Sequence, residues 1–258
     1  MTGSGGKRAS EGGKVPAAHA KGRRFYTKVS IREMPEAVAS AAYAVELDGR
    51  PVRTPAKAIL AVPNRALATA VAAEWEAQGE RIDPMSMPLT RLVNSAIDGV
   101  RGREEEVRRD VAKYAVSDLL CYRATEPQGL VQCQKEAWDP IVAWGEKTLA
   151  ARFVVTQGIM PVTQSQAVEA AVLHTLHDSD AFVLAALHVM TTLTGSALLA
   201  IAHAKGRLDA EAAWAAAHVD EDWQISKWGE DAEASARRAR RWEEMQAASR
   251  LLALLATG

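Results

Sequence analysis

The spacing of apolar residues changes once along this 258-residue chain, at the connector Asp83-Pro84-Met85-Ser86-Met87-Pro88, and that change bounds what it can fold into. Before the connector, Tyr43, Val45 and Leu47 alternate with Ala44 and Glu46, the period of a strand. Asp48-Gly49 interrupts the run, and Val52 and Thr54 resume it. A type I′ turn needs positive φ at both central residues, which Asp-Gly tolerates, so a hairpin is predicted here. Residues 59–62 read as another short strand, stopped by Pro63. Asn64 reads as the N-cap of a helix carrying Leu67, Val71, Glu74, Trp75 and Gln78. After the connector the apolar period is helical: Leu89, Leu92, Val93, Ala96 and Ile97, then Val107, Val111, Tyr114 and on to Asp118-Leu119. Trp138, Ile141, Val142 and Leu149 mark a further helix; an extended stretch at 153–156 and Pro161 precede another at Val168, Ala171, Val172 and Leu176. Asp180 is predicted to cap one long apolar helix reaching about His203, and Asp209 a helix through Ala217. A final amphipathic helix is predicted from about Asp231 to Leu255. The expected fold class is α+β: a disordered tail over 1–23, a small α+β domain with an antiparallel hairpin over 24–88, and a larger all-α domain over 89–258.

Composition excludes several function classes. With 31 Lys+Arg against 32 Asp+Glu the formal net charge is −1, so the cation excess that binding a phosphate backbone requires is missing. No stretch approaches ~18 uncharged apolar residues, so no membrane span is expected. Two cysteines, Cys121 and Cys133, cannot form a disulfide scaffold and read as inert thiols of a reducing compartment. Gly5-Gly6-Lys7 and Gly12-Gly13-Lys14 lack the earlier glycine and preceding strand of a phosphate loop. Gly195-Ser196-Ala197 lacks the second glycine of a nucleophile elbow and sits inside a helical pattern. Together with Thr191, Thr192 and Thr194 it reads instead as a small-residue patch that lets helices pack closely.

One constellation has metal-ligand chemistry. His174 and His177 share a helix face at i and i+3, with Asp178 and Asp180 close behind. The alternative function this carries is a metal-dependent hydrolase using His174, His177 and Asp178. The competing reading is an exposed helix end whose imidazoles complement the negative C-terminal dipole. No catalytic residue, resident metal or cofactor is assigned from the sequence.

The most unusual stretch is 220–233. Asp220, Glu221, Asp222, Glu230, Asp231 and Glu233 surround Trp223, Gln224 and Trp228, with Lys227 as the single base, and Arg237, Arg238, Arg240 and Arg241 follow at once. In one reading the tryptophans are core and the acids a solvated face that answers a helix dipole. In the other this is a protein-binding surface, with aromatic anchors inside a ring of like charge. The two coexist if the tryptophans are buried and the acids face outward. Trp75, inside Glu74-Trp75-Glu76-Ala77-Gln78, is expected to be structural, packing its helix onto the sheet or the helical part.

Seven segments, in order, are similar to a known family. They are Arg24-Phe25-Tyr26; Leu47-Asp48-Gly49-Arg50-Pro51-Val52 with Thr54-Pro55; Glu74-Trp75 with Gln78; Met87-Pro88-Leu89-Thr90; the run Asp118-Leu119-Leu120-Cys121-Tyr122-Arg123; Trp138-Asp139-Pro140; and Asp220-Glu221-Asp222-Trp223-Gln224 with Trp228-Gly229. In these the chain resembles the assembly chaperones that escort the alpha subunit of the F-type ATP synthase catalytic head, the ATP-twelve chaperone family. The resemblance implies a binding protein rather than an enzyme, with a small N-terminal α/β part and a helical C-terminal part. Its implied partner is the unassembled alpha subunit, held until the beta subunit takes over the same surface. Partner-binding residues implied here are Asp220, Glu221, Asp222, Trp223, Gln224, Trp228 and Glu230, with Asp48, Gly49, Trp75 and Trp138 as structural residues. The expectation is a monomer that needs no cofactor, nucleic acid or membrane. Residues 1–24 are basic but lack the apolar face of a mitochondrial presequence, which favours a bacterial cytoplasm over the mitochondrial matrix used by the family's eukaryotic members.

Overall fold

The computed structural model describes residues 22–34, 42–158 and 162–257. The expected tail lies outside the described residues except for Gly22 and Arg23, and Pro161 lies outside them too. The first described part is a sheet of four strands, β1 (Val29–Glu33), β2 (Tyr43–Leu47), β3 (Arg50–Pro51) and β4 (Ala61–Val62). β2 is central: β1 pairs antiparallel along one side, with Val29 opposite Leu47 and Glu33 opposite Tyr43, while β3 and β4 share its other side. The hairpin forms as expected, with Asp48 at φ +48° and Gly49 at φ +76°, both in the left-handed region a type I′ turn requires. Asp48 also accepts from the Lys28 N–H at 2.8 Å and from the Thr27 N–H and hydroxyl, tying the incoming chain to the turn. The Lys28 N–H above all holds this exposed carboxyl below its usual range. β1 has no counterpart in the sequence reading, because this outer strand is only half-buried and its alternation is weak.

Helix α1 (Arg65–Glu76) covers the sheet with Leu67, Ala68 and Val71. Asn64 caps it, accepting from the Leu67 N–H at 2.9 Å, and its amide donates to the Leu254 carbonyl near the chain's end. The Glu74-Trp75…Gln78 segment pins the connector and the helix after it. The Glu74 carboxylate accepts from the N–H groups of Leu89 (2.9 Å) and Thr90 (2.7 Å), capping helix α2 (Pro88–Ser95), whose own N-cap residue offers no side-chain bond. Gln78, predicted inside α1, lies just beyond it; its amide donates to Glu74 and Ser86 and accepts from the Asp83 N–H. Trp75 is half-buried with its ring 5.9 Å from that of Tyr26, so it packs α1 against the N-terminal segment.

The helical part continues as a π-turn at Ala96–Val100, then α3 (Glu104–Val116), α4 (Gln128–Leu149), α5 (Gln166–Leu176), α6 (Ala181–Thr194), α7 (Ala197–Ala204), α8 (Ala210–Ala217), α9 (Val219–Trp228) and α10 (Ala232–Leu255). A two-strand parallel pair, β5 (Tyr122–Arg123) and β6 (Thr156–Gln157), bridges the loops before and after α4. One hydrophobic cluster runs from Val45 in the sheet and Leu60 just before β4 through Leu92 and Leu198 to Met245 and Leu251.

Two helical expectations are corrected. α3 ends at Val116, so Asp118-Leu119 lie beyond it, and Asp118 instead caps a 3-10 turn at Leu119–Cys121. The single helix expected from Asp180 to about His203 is two. Asp180 does cap α6, accepting from the N–H groups of Phe182 and Val183. Gly195 then ends α6 at φ +68°, and Ser196 caps α7 through the Leu199 N–H at 3.0 Å. The small residues at 191–197 are therefore a stop and a restart more than a close-packing stripe.

Asp118 fits into that break. Fully buried, its carboxylate accepts from the Leu198 N–H at 3.0 Å and the Leu120 N–H at 3.1 Å, joining the 3-10 turn to the start of α7. Burial pushes its pKa up to about 6, against the lowering by the Leu198 N–H, the Ser196 hydroxyl and the Leu120 and Ala197 N–H groups. A raised folded value means stability that is present below the unfolded value and lost as pH climbs through the folded one. The wild-type chain is thus expected to lose about 3 kcal/mol relative to Asp118→Asn as pH rises from about 4 to about 6, with no further change above, checked by urea unfolding. At pH 7 Asp118→Ala strands two buried donors and is expected to cost on the order of 3 kcal/mol.

Candidate partner-binding site

The C-terminal acidic segment rests on α4, and the side chains that place α4 come from segments that carry the family resemblance. Arg123, buried, donates from Nε to the Leu120 carbonyl (2.8 Å) and from Nη1 to the Asp139 carboxylate (2.8 Å). Its guanidinium lies 5.2 Å from the Trp138 ring centroid. Trp138, 1% exposed, donates from its indole N–H to the Ala216 carbonyl at 2.6 Å, locking α4 to the end of α8. A buried indole in this setting has an apolar body and a satisfied polar edge.

α9 is different in kind: none of its ten residues is buried. Three links hold it. The Gln134 amide, on α4, donates to the Asp220 carboxylate at 2.6 Å while its carbonyl accepts from the Ala124 N–H. Asp222 pairs with Arg238 on α10, and that hydrogen bond raises the Arg238 pKa further. Trp223 lies against Gly129 so closely that a Cβ there would stand 2.2 Å from Cη2. Glu221 sits between His218 (3.8 Å) and Arg238 (4.0 Å). Burial lowers the pKa of His218, whose Nδ1 lies 2.7 Å from the Trp214 carbonyl and whose ring sits 4.0 Å from the Trp214 ring.

Apart from Glu221, which is half-buried, the predicted residues therefore split into two sets. Asp220, Asp222 and Trp223 spend their side chains on holding α9, with Lys227 over the Trp223 ring at 4.4 Å. Gln224, Trp228 and Glu230 face solvent. The Trp228 side chain is 87% exposed and makes no hydrogen bond or ring contact among the described residues. It borders a cavity of about 220 Å³ between α9 and the start of α10, shared with Gln224, Ile225, Asp231 and Arg238. The reading in which both tryptophans are core fails for Trp228, which is exposed, while Trp223 is half-buried against Gly129. Gly129 and Gln134, absent from the sequence reading, are what seat α9. Their one sequence signal is a glycine in the first turn of a helix, where a neighbour's close approach is the usual reason.

The histidine cluster does not assemble. His174, His177 and Asp178 are exposed on the end of α5, where His177 Nδ1 meets Asp178 at 2.8 Å. Among the described residues no three His, Cys, Asp or Glu side chains are grouped so as to hold a metal ion. No helix among the described residues is long and apolar enough to cross a membrane.

Comparison with known proteins agrees with this architecture. The structure superposes on Atp12 from Paracoccus denitrificans with a TM-score of 0.84 at 41% identity, covering 90% of this chain and 98% of that one. An aspartate-to-lysine mutant of the same protein gives 0.84 at 40% identity over 91% and 99% of the two chains. The Atu1473 protein from Agrobacterium tumefaciens gives 0.85 at 46% identity over 90% and 86%. The fission yeast protein named "Protein atp12, mitochondrial" is 26% identical over 219 residues, which are 80% of this chain and 74% of that protein. Residues 23–146 match the family described as ATP12 chaperone protein. A sheet-and-helix fold of this shape, shared along nearly its whole length with these structures, is that of a chaperone. The chain belongs to the ATP12 chaperone protein family.

The seat of α9 is open to test. Gly129→Ala is expected to push Trp223 off α4, an overpacking effect on the order of 1–3 kcal/mol. Hydrogen exchange should show amides 219–228 losing protection while those of α6 and α7 keep theirs; unchanged protection of 219–228 contradicts the pin.

Proposed function

We propose that this chain is an ATP-independent chaperone of F-type ATP synthase assembly that binds the unassembled alpha subunit and covers its beta-facing surface. Membership in the ATP12 chaperone family supports the chaperone role, and the seven resembling segments support the synthase and the alpha subunit as its target. The physics accords with it, since an isolated subunit exposes an apolar interface that aggregates unless covered. The binding needs no bond made or broken, so the protein is a binder and not an enzyme, acting as a monomer. We place it in a bacterial cytoplasm, in line with its higher identity to the bacterial structures than to the yeast protein. We also propose the division into a small α+β domain over 24–88 and an all-α domain over 89–258.

The observation that carries the docking face is Trp228: a tryptophan 87% exposed at the end of an acid-rich helix, in a protein whose Trp138 is 1% exposed. Exposed aromatics flanked by like charge are what a partner uses as anchor and guide. Asp220, Glu221 and Asp222 set the charge of that face, and Gln224 and Glu230 extend it. Trp228→Ala is expected to weaken capture of purified alpha subunit by about 30-fold, roughly 2 kcal/mol, with the melting temperature unchanged because the ring supports nothing. Reversing charge at Asp220, Glu221 and Asp222 should weaken it too. Undiminished capture by Trp228→Ala removes the face, and no capture by the wild-type chain removes the alpha subunit as partner.

A further inference from the structure

Two large aromatics are exposed among the described residues: Trp228 on α9 and Phe25, 75% exposed, in the segment ahead of β1. Phe25 stands at one end of a row of rings. It meets Tyr26 edge-on at 5.4 Å, and Tyr26 meets Trp75 in the same manner at 5.9 Å. The Tyr26 hydroxyl donates to the Trp75 carbonyl at 2.7 Å, so the row is fixed before anything binds. Together with the β2–β3 hairpin these rings line a cleft of about 550 Å³. Arg50 and Arg53 line it too; both are exposed, and neither forms an ion pair among the described residues. Arg53 gives one N–H to the Lys57 carbonyl at 2.7 Å. Asp48 is the single carboxylate of the lining, and its oxygens already accept from Thr27 and Lys28.

We propose that this cleft is a second anchor site for the alpha subunit, taking one large apolar side chain flanked in the subunit's sequence by Asp or Glu. The inference rests on the alpha subunit being the partner and goes further by naming a contact on the sheet-bearing part and the chemistry of what fills it. The rings remove the anchor's surface from water, and the volume suits a leucine- or phenylalanine-sized group with part of its backbone. Each guanidinium offers a planar fork of donors that matches a carboxylate. A basic flank would instead face two cations against one anion and be repelled. The same charge argues against the chain's own residues 1–21 as the occupant, since they carry Lys7, Arg8, Lys14 and Lys21 against Glu11. A row of rings held by the Tyr26 hydroxyl needs little ordering on binding. Trp228 stands among acids and Phe25 among bases, so a subunit that answers both charges is held to one orientation.

Hydrogen exchange of the wild-type chain, alone and in complex with purified alpha subunit, reads occupancy of the cleft. Amides over 24–28 and 48–57 are expected to exchange about tenfold or more slowly in the complex. Arg50→Glu, at an exposed position without an ion pair, reverses the charge of the lining and should weaken capture by about tenfold with the melting temperature unchanged. Sedimentation of the free chain is expected to show a monomer. A complex that forms while 24–28 and 48–57 exchange as in the free chain, or Arg50→Glu capturing as well as wild type, overturns the cleft and leaves the partner standing. Self-association of the free chain that Arg50→Glu abolishes also overturns it, because a second copy then fills the cleft. Failure of the wild-type chain to form any complex overturns both.

Discussion

A helix that buries none of its residues has to be held from outside, and α9 is such a helix. Helical propensity alone leaves a ten-residue segment marginal in water, so its position depends on the links it makes with its neighbours. The contact of Trp223 with Gly129 is the tightest of these, and no side chain larger than hydrogen fits at 129. Gln134 and Arg238 fix the rotation by holding Asp220 and Asp222 on opposite sides. Everything that α9 presents to solvent, Trp228 above all, is aimed by that arrangement.

Behind α9 the fold is built to keep α4 still. Arg123 joins the 3-10 turn to Asp139, Trp138 joins α4 to α8, and Asp118 joins the same turn to α7 across the Gly195 break. Glu74 plays the corresponding part at the other end, capping α2 from α1. These are buried or half-buried polar groups with partners, and removing one partner strands the other at a cost larger than the bond's own net worth. The segments that stand out in the sequence are thus largely scaffold, and the surface they support is small. A rigid support under a few exposed groups suits the transient binding proposed above, since little ordering free energy is lost at each encounter.

Much of the scaffold is legible in the amino-acid sequence. Asp48-Gly49 announces its turn because few dipeptides accept positive φ twice, and Asn64, Asp180 and Asp209 announce helix starts because a short acceptor there meets free N–H groups. The restart at Gly195-Ser196 is hidden by apolar residues on both sides, which continue the helical period across the break. Of the candidate site, the charge of 220–222 is legible and its use is not. Which acid meets Gln134, which meets Arg238 and which tryptophan is spent on packing are set by residues on α4, far earlier in the chain, and on the following helix. The His174–Asp178 cluster shows the converse, a spacing with metal-ligand chemistry whose groups point into solvent.

In the proposed role this chaperone covers a surface that another chain leaves bare. Light scattering of isolated alpha subunit diluted into native buffer, with and without this protein at equal concentration, tests that most directly. Scattering is expected to be suppressed when the chaperone is present and to return when Trp228→Ala replaces it. Scattering that rises equally fast with the wild-type protein and with an inert control contradicts the covering role.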